Sequence, residues 1–231
     1  MTDDELRRAV LDANLDTVRH GLVISTFGNA SGIDRNAGRI LIKPSGVAYD
    51  RLTPADMVPC DLDGRSLDNR LRPSSDLATH AVLYRAFADI GGVVHTHSTY
   101  ATIMAQSHRP IPCLGTTHAD YFHGTIPVTR DLTAEEIAQD YVGNTGAVIV
   151  ETFADLDPLA IPAVLVAGHG PFTWGRTPAE AVHNALILEQ VAKMAWHATV
   201  LNPDPQPISQ ALLDRHFLRK HGAQATYGQD G

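Results

Sequence analysis

Two histidines one residue apart, His95 and His97, end the short apolar run Gly91-Gly-Val-Val-His-Thr-His97. The glycine pair with Val93 and Val94 predicts a buried strand of about four to six residues. On a strand, side chains two apart point the same way with Cα atoms ~6.5 Å apart. Both imidazoles can then close on one ion at nitrogen–zinc distances of about 2.0–2.1 Å. A third, His169 in Gly168-His-Gly-Pro-Phe172, follows a second apolar run over residues 161–166. Three nitrogen donors from two strand ends leave one coordination position for a substrate. A lone His-x-His also occurs in cores and on surfaces, so the third histidine and the nearby loops give the pair its meaning.

Three of those loops have a composition suited to an anion. Gly28-Asn29 lies in a turn, where glycine lets the backbone approach a ligand. Lys43-Pro-Ser45-Gly46 offers a cation, a hydroxyl and a glycine N–H within four residues. Ser74-Ser75 sits where a helix begins, with its N–H groups and dipole facing outward. Lys43 and backbone donors together suit a phosphate. Each loop singly reads as an ordinary turn or helix cap. Asp76 reads either as a helix-capping acid, or as a fourth oxygen ligand or partner of the histidines. Asp120 lies in the loop Thr116-Thr-His-Ala-Asp-Tyr121, where most aspartates are simply solvated. Tyr227 falls in a C-terminal stretch rich in Gly, Ala and Gln, and an ordered tyrosine there implies docking, for instance on another subunit. His80, His108, His183 and His197 read as helix-face or surface residues, while His118 and His216 fit either place.

The elements that must position these residues follow from periodicity and punctuation. Residues 2–20 predict a helix opened by a capping box, Thr2 with Glu5, and stopped by Gly21. Strands are expected over 22–26 and 39–43, separated by the glycine-rich stretch 27–38. Residues 56–60 predict another, placed at an edge or end by Pro59, and 62–71 a polar hairpin turning at Asp63-Gly64. A helix from Pro73-Ser-Ser-Asp76 carries Leu77, His80, Ala81, Tyr84 and Phe87 along one face. Helices over 99–107 and from Thr133, then strands over 147–151, 161–167 and 171–174, follow the histidine strand. Thr177-Pro-Ala-Glu180 opens a long helix to about residue 200. A proline-rich linker, 202–207, precedes a last helix over 209–221. Strands and helices do not alternate regularly, which predicts an α/β protein with a mainly antiparallel central sheet flanked by helices in three layers. One domain over 1–231 is expected.

Composition sets the outer bounds. The chain has 231 residues, 44% hydrophobic and 19% charged, ordinary for a protein that buries a full core. A net charge of −8 with no basic run longer than Arg219-Lys220-His221 argues against nucleic acid as partner. Cys60 and Cys113 match no metal or redox spacing and fit a reducing compartment. The acidic N-terminus is unlike a secretory signal, and no apolar run approaches the ~18 residues of a membrane span. A cytoplasmic protein without membrane contact is the expectation.

Together the motifs resemble the L-ribulose-5-phosphate 4-epimerase family of the class II, metal-dependent aldolase superfamily. The likeness runs nearly end to end. It is carried by Gly28-Asn-Ala-Ser31, Ile42-Lys-Pro-Ser-Gly46, Pro73-Ser-Ser-Asp76, Gly91 to Ser98, Gly115 to Tyr121, His169-Gly-Pro-Phe172, Ala181-Val-His-Asn-Ala185 and Tyr227-Gly-Gln229. The resemblance implies zinc, or alternatively manganese or cobalt, at His95, His97 and His169, with Asp76 at or beside it. It implies phosphate binding by Gly28, Asn29, Ser45, Gly46, Ser74 and Ser75, a role that Lys43 also fits. Asp120 and Tyr227 match the family's two acid/base positions, and a homotetramer with active sites between subunits is implied. The expected reaction is epimerisation of a phosphorylated ketopentose at C4, by opening and rejoining C3–C4. Two stretches depart from the family's pattern: Val166-Ala-Gly168 before His169, and Thr99-Tyr100 after the histidine pair. Rivals are a fuculose- or rhamnulose-1-phosphate type aldolase, which usually carries glutamate at the position of Asp76, and an adducin-like interaction domain, which would have no use for the three histidines.

Overall fold

Helix starts are the most locally determined feature of the fold. In the computed structural model, which describes residues 2–222 and residue 225, helix α1 (Asp3–Arg19) opens on the reciprocal capping box of Thr2 and Glu5. The box satisfies two backbone donors that a helix start would otherwise leave unpaired. The same box starts α5 (Ala134–Thr152) at Thr133, while the hydroxyls of Thr177 and Ser209 each accept one N–H at the starts of α6 (Pro178–Leu201) and α7 (Gln210–His221). The remaining helices are α2 (Leu77–Ala86), α3 (Thr99–Gln106) and the single turn α4 (Thr116–Ala119).

Six strands, β1 (Asn29–Asp34), β2 (Arg39–Ile42), β3 (Val58–Asp61), β4 (Gly92–His95), β5 (Ala163–Leu165) and β6 (Pro171–Gly175), form one sheet in the order β3-β2-β1-β4-β6-β5. Every strand pairing in it is antiparallel. Pro59 lies in β3, at an edge as expected. Alternation along the strands sends residues to opposite faces. Leu41, Ala30 and Val94 pack with α1 and the first part of α6. Ile40, Ile42, Val93, Phe172 and Trp174 join the larger core with Leu77, Ala81 and Tyr84 of α2. Helices therefore cover both faces, and the expected three layers are present.

Two local expectations are overturned. Residues 22–26 form a loop rather than a strand: Leu22 donates its N–H back to Thr17 and Ser25 turns the chain with φ +57°. The strand lies instead in the stretch read as a glycine-rich loop, as β1. Its residues Asn29-Ala-Ser-Gly32 have poor strand propensity, but small side chains are what a central strand crowded by α1 and α2 can accept. Residues 147–151, β-branched and strand-like, are helical and complete α5. Val148 and Ile149 are buried there, and burial overrides a propensity difference of a few tenths of a kcal/mol per residue.

The register builds the site. Asn29 pairs with His95, and His95 with Phe172, across three adjacent strands. All three side chains therefore share one sheet face, with the N-terminus of α2 beside them.

Candidate active site

His95, His97 and His169 form a nearly equilateral triangle of rings, with centroids 4.9 Å (His95–His97), 4.7 Å (His95–His169) and 5.0 Å (His97–His169) apart. Their ligating nitrogens all lie within 4.8 Å of one another. His95 donates Nδ1–H to the Pro171 carbonyl at 2.9 Å, which fixes its tautomer because a carbonyl only accepts. Burial pushes this ring down to about 3, so at neutral pH it is uncharged and its Nε2 is a bare lone pair. That lone pair faces His97 Nε2 at 3.1 Å. Two ring nitrogens so close need a proton or a cation between them, so the donor set fits a divalent ion. Phe172 stacks on His95 at 4.2 Å and Phe27 on His97 at 6.2 Å, walling the cluster with apolar faces.

Asp76 stands at the first turn of α2 yet makes no capping bond with its side chain. Its carboxylate instead accepts from Asn29 Nδ2 at 2.6 Å. Burial raises the carboxyl's pKa, but His95, His80 and the Asn29 bond outweigh it and hold the group below its usual range. Of the two readings open for Asp76, this geometry removes the helix cap.

The histidines and Asp76 open into a cavity of about 370 Å³ also lined by Gly28, Asn29, Lys43, Ser45, Gly46, Ser74 and Ser75. The structure thus gathers all of the expected substrate loops beside the histidine cluster. Gly28 adopts φ +79°, and an added Cβ would lie 3.0 Å from the His95 carbonyl, so a larger residue would push the loop off the strand end. Loops 43–46 and 72–75 are zipped together, with Ser45 N–H donating to Arg72 and Ser74 N–H to Lys43. These two amides are therefore committed, which leaves the hydroxyls and Lys43 among the groups an anion can use. Lys43 is only 2% exposed; its ammonium donates to the Pro44 carbonyl at 3.3 Å and sits over the Tyr49 ring. Burial lowers its pKa.

Asp120 ends α4, outside the residues lining the cavity. His216 donates to it at 3.0 Å, Arg219 reaches both of its oxygens at 3.0 Å and Lys220 lies at 3.5 Å. Burial works against the charge, yet these α7 groups hold its carboxyl low. Tyr227 lies outside the described residues. His108, His183 and His197 are exposed as expected, whereas His80 is fully buried, bonded through Nδ1 to Ser31 Oγ at 2.7 Å, which also meets Tyr84 OH at 2.8 Å. His118 is buried as well. Thr26, Phe27 and Pro44 complete the lining, and Tyr141 touches His169; none had a signal beyond adjacency to a motif, and Tyr141 had none.

An antiparallel sheet between helix layers, with three histidines over one strand-end cavity, defines a class. Residues 8–196 match the Class II Aldolase and Adducin N-terminal domain family, and the chain belongs to it. Within that family the chain is 53% identical over 225 residues to the L-ribulose-5-phosphate 4-epimerase UlaF of Salmonella paratyphi A, covering 97% of this chain and 99% of the relative. The UlaF of Salmonella typhi matches to the same extent. Among solved structures, an L-fuculose 1-phosphate aldolase superposes with TM-score 0.77 at 23% identity, covering 92% of this chain and 94% of that one. YgbL of Klebsiella pneumoniae superposes with TM-score 0.73 at 22% identity over 93% and 99%. These structural likenesses are of fold. Among the described residues no helix is long and apolar enough to cross a membrane.

Proposed function

We propose that this protein is an L-ribulose-5-phosphate 4-epimerase, interconverting L-ribulose 5-phosphate and D-xylulose 5-phosphate. The observation that carries the reading is end-to-end 53% identity to enzymes of that name in a chain with three converging histidines. A divalent ion, zinc first and manganese or cobalt as alternatives, would be held by His95, His97 and His169 and would supply Lewis acidity toward the sugar's oxygens. Asp76, oriented by Asn29, stands beside it.

The C4 proton of a ketopentose phosphate is not acidified by a neighbouring carbonyl, so direct deprotonation is a poor route to inversion. Opening C3–C4 avoids that step. A base takes the C4 hydroxyl proton as the bond breaks, its electron pair passing to the C1–C3 fragment as an enediolate, and glycolaldehyde phosphate forms from C4 and C5. Lys43 and the hydroxyls of Ser45, Ser74 and Ser75 would hold the phosphate while the aldehyde turns its other face. The rejoined, inverted oxygen is then protonated from the opposite side, which calls for two acid/base groups. Asp120 and Tyr227 are assigned these roles. Because Asp120 sits apart from the cavity of its own chain, it would serve the cavity of a neighbouring subunit, in a cytoplasmic homotetramer with active sites at subunit interfaces.

The test is turnover of L-ribulose 5-phosphate by purified protein of measured metal content. Formation of D-xylulose 5-phosphate is expected, with sharply reduced turnover and intact metal content in Tyr227→Phe. Efficient release of free aldehyde from a ketose 1-phosphate would instead favour an aldolase. Metal-free protein without turnover would favour a scaffold.

A further inference from the structure

Each ring of the histidine triangle must present one bare nitrogen inward, so whatever holds the other nitrogen decides whether the site binds. For His95 that partner is the Pro171 carbonyl. For His169 it is a side chain from a different layer: Tyr141 OH lies 3.2 Å from His169 Nδ1, with the two rings 6.1 Å apart.

Tyr141 is placed there by a break in α5. Asp140 leaves the helical region, with φ −157° and ψ 80°, and its Oδ1 accepts the Gly143 N–H at 3.0 Å. Asp140 thus caps a second helical segment whose first residue is Tyr141. That segment is tied to α2, the helix that begins beside Asp76, because Thr79 Oγ1 donates to the Val142 carbonyl at 2.7 Å. Thr145 Oγ1 donates to the Tyr141 carbonyl at 2.8 Å. An unbroken α5 would have no use for the Asp140 cap.

We infer that Tyr141 is a positioning residue for the metal centre: its hydroxyl accepts Nδ1–H from His169, fixing the tautomer and ring angle that turn Nε2 toward the ion. The inference rests on the reading of the cavity as a metal site. A hydroxyl has one proton and can accept while donating elsewhere. The opposite arrangement, Tyr141 donating to Nδ1, would leave the proton on Nε2 and abolish that nitrogen as a ligand.

Tyr141→Phe removes only the hydroxyl, from a residue 43% exposed, so the fold is retained. Zinc affinity is measured by competition with a chromophoric chelator, and the cobalt form is followed by its visible absorption bands. The variant should bind zinc about 10- to 100-fold more weakly, with shifted cobalt bands, and should recover turnover at saturating zinc. Equal affinity and an unchanged cobalt spectrum would overturn the inference while leaving the metal site standing. Turnover still lost at saturating zinc would also overturn it, by putting the hydroxyl to work on the substrate. Wild-type protein that takes up no zinc would remove the underlying metal reading itself.

Discussion

Asp76 precedes a helix that makes no use of its carboxylate. An N-cap aspartate stabilises its helix by about 0.5–2 kcal/mol, and here that contribution is absent: the side chain turns to Asn29 and the histidines instead. Positions where local stability is forgone for a polar cavity are where function is found. Asp76→Asn keeps the volume and leaves Asn29 an oxygen to donate to. It should change unfolding free energy in urea by less than about 1 kcal/mol, while turnover falls at least ~100-fold. Paired loss of stability and activity would restore the helix-cap role. The same logic explains what the residues alone conveyed here. His95, His97 and the loop glycines and serines announce themselves by type and spacing. Tyr141 does not, because its role depends on a break in α5 that brings it to His169, 28 residues further along the chain.

At the scale of elements, β4 serves the site by being thin at its start. The N-terminus of α6 crosses Gly92 so closely that an added Cβ would meet Pro178 Cα and N at 2.5 Å and the Thr177 carbonyl at 2.6 Å. These are backbone atoms of a capped helix start and cannot swing aside. Gly92→Ala should therefore cost about 1–3 kcal/mol or more, seen as a lower urea midpoint at unchanged slope; an unchanged midpoint would mean that α6 slides freely over β4. Strands dense in β-branched residues, 39–42 and 92–95, and helices opened by Thr or Ser caps were legible in the sequence for local reasons. β1 was not. Its small residues answer to Leu6, Val10 and Pro178 on one side and His80 and Tyr84 on the other, neighbours brought together only by the completed fold. The end of α5 was misread for the complementary reason, since Val148 and Ile149 favour extended backbone until burial decides otherwise.

For the whole molecule, buried neutral histidines make stability depend on pH. Burial pushes His80 and His118 each down to about 4 and His95 to about 3, from an ordinary value near 6.5. His118 Nε2 is bonded to the Gly124 carbonyl at 2.7 Å, and His80 is enclosed by Ser31, Asp76 and Phe172. As pH falls below about 6.5, the unfolded chain takes up protons that these folded rings refuse, so acid favours unfolding. The stabilisation is complete above that point and fades until the folded rings also titrate near pH 4. Each such histidine contributes a slope of about 1.4 kcal/mol per pH unit within the window. Urea unfolding of the metal-stripped protein between pH 7 and 5 should show stability rising with pH, since bound metal would add a slope of its own. His118→Gln, neutral throughout, should flatten that rise by about 1.4 kcal/mol per unit between pH 6 and 5. An equally steep profile in the variant would mean that His118 is charged or exposed in the folded chain.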